Sequence, residues 1–282
     1  MPDFDSLWNY ADPAGTERKF RALLPECVTD AERAELLTQI ARTHSLRRQF
    51  AVAHAVLDEA KALISNFQSR VYVRYLLERG RTFNSAQQKP PASELFLQAW
   101  YLARELGEEF YAVDAAHMLG LSEPPEQQLQ WNLLALAYAE QASEPRARQW
   151  CGALYNNLGW TYHHSGQYEK ALEMFERGLA FRRESQQAAE TRIAQWCVAR
   201  CLRSLNRLAE ALALQKALLA EHNALGTRDG YVFEELGECL LALHRPLEAR
   251  PYFAQAYAEL AQDAWLVENE AARLERLKQL SL

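Results

Sequence analysis

The amino-acid sequence predicts an all-α fold, and three observations carry that expectation. Ala, Leu, Glu, Arg and Gln dominate its 282 residues, and all of them favour helix. Gly and Pro are few, 11 and 10, and β-branched residues are scarce. No stretch alternates apolar and polar residues at period two, as a half-buried strand would. The length exceeds that of an ordinary compact domain. A repeat array escapes that limit because it grows without enlarging one core. No low-complexity or Pro/Gly/Ser-rich linker divides the chain, so one domain over residues 1–282 is expected.

Taken in order, the elements begin with Asp12-Pro13. This pair reads as an N-cap and first helical residue before Glu17–Leu24, giving a capping helix over about 12–25. The clearest internal pattern lies further on, in Tyr155-Asn156-Asn157-Leu158-Gly159-Trp160-Thr161-Tyr162, His163-His164-Ser165-Gly166-Gln167-Tyr168 and Glu169-Lys170-Ala171-Leu172-Glu173-Met174-Phe175. Two helices that cross closely need small residues at the crossing, which Gly159 and Ala171 supply. Leu158, Tyr162 and Phe175 fill the space beside it. Ser165-Gly166 makes the turn, where Gly tolerates positive φ.

Tyr155, Leu158, Gly159, Tyr162, Gly166, Ala171, Phe175 and Gly178 together resemble the tetratricopeptide repeat. The same register recurs at Ala41/Ala53, Gly80/Ala92, Ala115/Gln127, Gly159/Ala171, Ala199/Ala211 and Gly237/Ala249. Four positions beyond the second small residue stand Leu57, Phe96, Trp131, Phe175, Gln215 and Phe253, five of the six large and apolar. The third repeat is the weakest, with Asp114 where Leu is usual and Gln127 where Ala is usual. The resemblance implies a right-handed superhelical solenoid of about six helix-turn-helix repeats, over about 34–67, 73–106, 108–141, 152–185, 192–225 and 230–263. The first small residues are 39, 35, 44, 40 and 38 apart, against a family norm of about 34. That spacing is similar to the extended repeats of kinesin light chains and bacterial regulatory repeat proteins.

Pro91, Pro124-Pro125 and Pro246 stand where second helices should begin, a position that suits a residue without an N–H. Pro251 falls within the first turns of its helix or bends it. Loops are expected at Gln87–Pro90, Ser122–Pro125 and His222–Gly230. Ala264–Leu280, with Leu266, Leu274, Leu277 and Leu280, reads as one helix covering the last repeat.

Charge and motifs narrow the function. The formal net charge is −6, whereas a general nucleic-acid binder carries basic excess. Met1-Pro2-Asp3-Phe4-Asp5 lacks a signal-peptide pattern, and no apolar run has the length of a membrane span. Five cysteines make no disulfide framework in a chain this long. A cytoplasmic location is expected. No Gly-rich phosphate loop, serine nucleophile elbow or His-Glu-x-x-His occurs, so neither catalysis nor a cofactor is expected.

The resemblance further implies that first helices line a concave face, with contacts at set offsets from the small residue. Carried onto this chain, they are Thr38, Arg42, Ser45, Arg74, Leu77, Arg81, Asn84, Asn156, Trp160, His163, His164, Trp196, Arg200, Arg203, Tyr231, Glu234 and Glu238. Arg42, Arg81 and Arg200 share one offset, and Trp160 holds it in the fourth repeat. Arg offers a planar fork to carboxylates and Trp is a frequent interface anchor. One reading is a site for an acidic peptide or protein segment; the other is that these arginines pair with Glu and Asp of neighbouring helices. The carboxylate clamp of the family's chaperone-binding branch is not matched, since Trp160 stands in place of an Asn.

Asn156-Asn157 suit a peptide backbone or a neighbouring loop. Cys197 and Cys201 share a helix face but supply two thiols where a closed zinc site needs four ligands, so buried cysteines are expected. His163 and His164 diverge by about 100° and do not share a metal. Trp100, Trp131 and Trp265 recur among apolar neighbours and are expected in the core. The function expected is a non-catalytic interaction scaffold, or else a sensor whose solenoid changes pitch on binding a signalling peptide. The stretch before the first repeat is too short for the helix-turn-helix that often accompanies such sensors. Self-association stays open.

Overall fold

The computed structural model describes residues 4–282, with the Pro125 side chain excepted; residues 1–3 of the opening Met1–Asp5 stretch lie outside the described residues. Among the described residues there are α-helices and two short 3-10 segments but no strand. The chain divides into two compact units, Met1–Leu154 and Tyr155–Leu282.

The first unit begins with a 3-10 segment, Phe4–Leu7, followed by α1 (Pro13–Leu23) and a 3-10 turn at Leu24–Glu26. Then come α2 (Asp30–Leu46), α3 (Phe50–Leu63), α4 (Arg70–Ser85), α5 (Lys89–Leu106), α6 (Glu109–Ser122), α7 (Pro125–Gln141) and the first half of α8 (Pro145–His164). The second unit holds the rest of α8, then α9 (Tyr168–Glu184), α10 (Ala188–Ser204), α11 (Leu208–Ala224), α12 (Gly230–Ala242), α13 (Pro246–Leu260), α14 (Ala264–Asn269) and α15 (Ala271–Leu280). The repeats are the pairs α2–α3, α4–α5, α6–α7, α8–α9, α10–α11 and α12–α13. In the first unit, α4 also lies against both α2 and α6, so first helices stand side by side.

Local chemistry explains where these helices start. Asp12 caps α1 by accepting from the Gly15 N–H at 2.8 Å, with Pro13 as the first helical residue. Thr29 and Glu32 form a capping box on α2, each accepting from the other's N–H at 3.2 Å. Asp229 and Asp263 cap α12 and α14. Prolines stand in the first turns of α5, α7 and α13, as the sequence predicts, while Pro251 lies inside α13.

One turn recurs. The N–H groups of Gln49, Gln88, Gln167, Arg207 and Arg245 each reach back five residues, to the carbonyls of His44, Phe83, Tyr162, Leu202 and Leu240, all at 2.9 Å. This 6→1 bond is that of a Schellman motif, and it requires a left-handed residue just before the donor. Gly166 fills that place at φ 74°. In the other four turns Arg48, Gln87, Asn206 and His244 adopt it, at φ 59–63°, each at a cost of about 1–2 kcal/mol.

The crossings differ from the expectation in one respect. A Cβ on Gly80, Gly159 or Gly237 would lie within 3 Å of ring carbons of Phe96, Phe175 or Phe253 respectively. The small residue thus makes room for an aromatic ring sixteen positions later. All three rings are at most 2% exposed. In the third pair the register shifts. Gln127 is exposed, and it is Gly120 that meets Asn132, whose Nδ2 donates to the Gly120 carbonyl at 3.3 Å. Gln215 is wholly buried at the fifth repeat's aromatic position, and both its polar side-chain atoms lack a partner.

Three further expectations are corrected. The C-terminal stretch is two helices, because Glu270 leaves the helical region at φ −127°, ψ 33°. Trp265 is 59% exposed, since the Asp263 cap starts α14 so that Leu266 turns inward at 2% exposure and its neighbour turns out. Lys89 and Pro90 belong to α5 rather than to a loop. No helix of the described residues is long and apolar enough to cross a membrane.

Candidate functional site

In the first unit a cavity of about 500 Å³ is lined by residues of α2, α4, α6 and α8 and by Asp5 and Tyr10. Arg74, Glu78 and Arg81 fall four and three residues apart on α4, which sets them on one helix face. Arg81 donates to the Glu78 carboxylate and to both carboxylate oxygens of Asp114 on α6. Arg74 donates to Glu35 on α2 at 2.8 Å and to Asp5 at 2.6 Å. Burial works against the charge on Arg74, but Tyr111, Asp5 and Glu35 outweigh it and the guanidinium is held protonated. Arg146 on α8 donates to the other oxygen of Asp5 at 2.7 Å and lies over the Phe110 ring at 4.0 Å. Asn84 lines the same cavity.

Arg42 stands apart. Its guanidinium comes no closer than 3.8 Å to a carboxylate oxygen, that of Glu78, and it donates no hydrogen bond among the described residues. The Glu78 oxygen it faces is itself buried and without a hydrogen-bond partner. Burial pushes the Arg42 pKa down, with Glu78 opposing and Arg81 adding to the fall. Its side chain stays 23% exposed, toward the cavity.

In the second unit Trp196, Arg200 and Arg203 line a cavity of about 370 Å³ with carboxylates of α12 and two arginines of α15. Arg203 forks onto Glu235 at 2.8 and 2.9 Å, and Arg200 reaches the same carboxylate at 3.1 Å. Glu234 and Glu238 pair with Arg273 and Arg276. Trp196 donates its indole N–H to the Tyr231 carbonyl at 3.1 Å. Trp160 lies among Phe175, Trp196, His163 and His164, with ring centroids 5.2–6.0 Å away. Asn156 accepts from the Cys197 thiol at 3.5 Å.

The structure therefore gathers the sequence-predicted residues into two clusters. Arg42, Arg74, Arg81 and Asn84 share the first cavity. Trp196, Arg200 and Arg203 share the second, with Trp160, His163 and Asn156 packed beside that helix. Thr38 and Ser45 are buried. Sequence reasoning missed the acidic partners Glu35, Glu78, Asp114 and Glu235, and also Asp5 and Arg146. A signal for them was present. The pairs Glu35/Arg74, Arg81/Asp114, Arg203/Glu235 and Glu234/Arg273 are separated by 39, 33, 32 and 39 residues, about one repeat. Opposite charges about one repeat apart mark ties between neighbouring first helices, and in the last pair between α12 and α15.

Cys197, Cys201 and His163 are buried. Burial pushes the Cys197 thiol up to about 12 and the Cys201 thiol up to about 11. Cys201 donates to the Tyr168 carbonyl at 3.3 Å. Among the described residues no group of three or more His, Cys, Asp or Glu is placed to hold a metal ion.

His163, 9% exposed, faces the Ser204 hydroxyl at 2.9 Å. Burial pushes its pKa down to about 4, with the charges of Arg200, His164 and Arg203 adding to the fall. The folded value lies below the ordinary 6.5, so the unfolded chain takes up this proton first. The stability tied to neutral His163 is whole above about pH 6.5 and falls as the pH drops from there toward 4. An NMR titration should find the His163 imidazole neutral at pH 5.5; a midpoint above 6 would contradict its burial.

Comparison with known proteins agrees with this architecture. The tetratricopeptide repeat family profile matches residues 130–184. No curated protein sequence matches the chain. Among solved structures, it is similar to a signal transduction ATPase with numerous domains, a protein with a tetratricopeptide repeat sensor, from Pyrococcus horikoshii. There the identity is 16% and the TM-score 0.74, over 95% of this chain and 42% of that one. This chain thus spans about two fifths of the archaeal protein's length. It is also similar to the apo form of RapI, at 12% identity and TM-score 0.73 over 93% of this chain and 76% of that one. A Rap protein complexed with competence and sporulation factor matches at 16% identity and TM-score 0.57, over 88% and 72%. At these identities the likeness is one of fold.

Proposed function

From a chain built on tetratricopeptide repeats, we propose a module that holds a carboxylate-bearing peptide or protein segment, with Arg42 at the centre of its contact in the first unit. The observation that carries this reading is the state of Arg42. Every other arginine at the matching sequence positions, Arg74, Arg81, Arg200 and Arg203, has a carboxylate within hydrogen-bond or close ion-pair distance. Arg42 alone among these keeps its donors unused at the wall of a cavity wide enough for a side chain. A half-buried cation without protein hydrogen bonds carries part of its desolvation cost, and an arriving carboxylate offsets that cost through a charge-assisted bond. Asn84 is at hand for polar contacts, and Tyr10 supplies a ring at the cavity wall. The second cavity, where Trp196 lies beside Arg200 and Arg203, has its arginines already on carboxylates and offers a separate, charge-paired surface.

The test is affinity selection of random peptides on the immobilised chain. The recovered peptides should be rich in Asp and Glu. Arg42→Glu should weaken them at least tenfold while the circular dichroism spectrum stays unchanged. Peptides without acidic enrichment, or unaffected by Arg42→Glu, would reject the reading.

A sensing role is the second reading. The names of two similar proteins favour it: one carries a tetratricopeptide repeat sensor, and another was found complexed with a competence and sporulation factor. A solution-scattering profile that changes when a selected peptide saturates the chain would mark a sensor. An unchanged profile would mark a scaffold.

A further inference from the structure

We propose that the Phe4–Leu7 segment is a self-docked occupant of the first unit's cavity, and that a partner segment displaces it by bringing its own carboxylate to Arg74 and Arg146. This rests on the reading of that cavity as a site for acidic segments.

The first support is the reach of Asp5. Its two oxygens accept from arginines 69 and 141 residues away, on α4 and α8, at 2.6 and 2.7 Å. A residue outside the helical repeats thereby bridges two of their first helices. Burial alone would raise its carboxyl pKa, but Arg74 and Arg146 outweigh burial and hold it below the usual carboxylate range. Asp5 is thus an anion at neutral pH, held as a bound peptide carboxylate would be.

The second support is the segment's pattern. Phe4 is 2% exposed beside Asp5. Trp8 donates its indole N–H to Gln39 of α2 at 2.9 Å, stacks on Tyr10 and meets Phe20 edge-on. A large apolar residue, an acid and an aromatic three positions later make a short linear motif seated by its side chains.

The third support is charge. Four arginines line the cavity, Arg42, Arg74, Arg81 and Arg146, against three carboxylates, Asp5, Glu78 and Asp114. Withdrawing Asp5 takes one carboxylate contact from Arg74, which keeps Glu35, and one from Arg146, so an anionic replacement is favoured. The inner contact, Arg74, is 7% exposed, while the outer one, Arg146, is 43% exposed and is the accessible end at which exchange begins. The partner class follows: a segment with Asp or Glu directly after a large apolar residue.

An intramolecular occupant competes at an effective concentration of about millimolar order, which sets the expected effect. The probe is a fluorescein-labelled peptide of residues 3–10 of this sequence, added to the full chain and read by anisotropy. It should bind the Asp5→Asn chain at least tenfold more tightly than the parent chain. A peptide carrying Asn in place of Asp5 should bind neither. In the parent chain, saturating acidic peptide should speed hydrogen exchange at residues 4–10, a readout that needs no variant and so is independent of any folding defect in Asp5→Asn. Equal affinity for the two chains, equal binding of the neutral peptide, or unchanged exchange would overturn the proposal. If library peptides sensitive to Arg42→Glu bind parent and Asp5→Asn chains alike, the cavity reading stands and self-docking falls. If no such peptides are selected, the cavity reading falls.

Discussion

Arg81→Met should lower the unfolding free energy by about 3–5 kcal/mol. Arg81 is 13% exposed and sits between Glu78 and Asp114, which are 8% and 5% exposed. Removing the guanidinium leaves two buried carboxylates with one distant cation, Arg42, at 3.8 Å from Glu78. Both carboxylates are nearly buried and meet solvent only through the cavity they line. The double variant Arg81→Met with Asp114→Leu separates this cause from lost packing. Leu is what the repeat pattern usually carries at that position, so the double variant should recover more than half of the loss, a coupling of about 2 kcal/mol or more. Urea unfolding measures all three chains. A single-variant cost below about 1 kcal/mol would mean that the pair behaves as a surface ion pair.

Gly159→Val should destabilise the second unit by about 2–4 kcal/mol, the upper range of core overpacking. The added Cβ would meet three ring carbons of Phe175 within 3 Å. That ring cannot yield freely, because it is 2% exposed and packs edge-on against Trp160 at 5.2 Å between centroids. Gly159→Ala should also lose stability, although Ala favours helix over Gly by about 1 kcal/mol. Adding Phe175→Leu to Gly159→Ala should restore part of the loss by clearing the space. A gain in thermal midpoint for Gly159→Ala alone would show that helix propensity outweighs the crowding.

The two results bear on what could be read from the sequence. The helices and their pairing were legible because the small-residue register and the apolar spacing repeat about every 39 residues, and both follow from local geometry. Gly80, Gly159 and Gly237 were legible as close-approach positions. What they approach was not, since a register of small residues does not say that a ring closes over one of them. Asp114 looked like a defect of the third repeat. Its reason lies in another helix, where Arg81 needs a counterion, and no property of α6 alone carries that information. The arginine row was visible, but its division into residues that hydrogen-bond a carboxylate and Arg42, which only faces one at 3.8 Å, depends on side-chain reach between helices. Trp265 shows the limit of periodicity, because a cap two residues earlier decided which neighbour turned inward. The break at Glu270 carries no Gly or Pro to announce it. Gln215 keeps its two amide atoms buried without partners, and nothing in the structure explains it.

The ion pairs between first helices also govern how the first unit could change over time. Glu35 and Arg42 of α2 find their counterions on α4, and Asp114 of α6 finds its counterion there too. Excising the α4–α5 pair as a block, the simplest way for an array to shorten, would strand all three charges at once. Swapping two repeats would set acids and arginines against the wrong neighbours. The order of these repeats is therefore written into the protein as firmly as their shape, and the array cannot gain or lose a member there without compensating substitutions on both sides of the join.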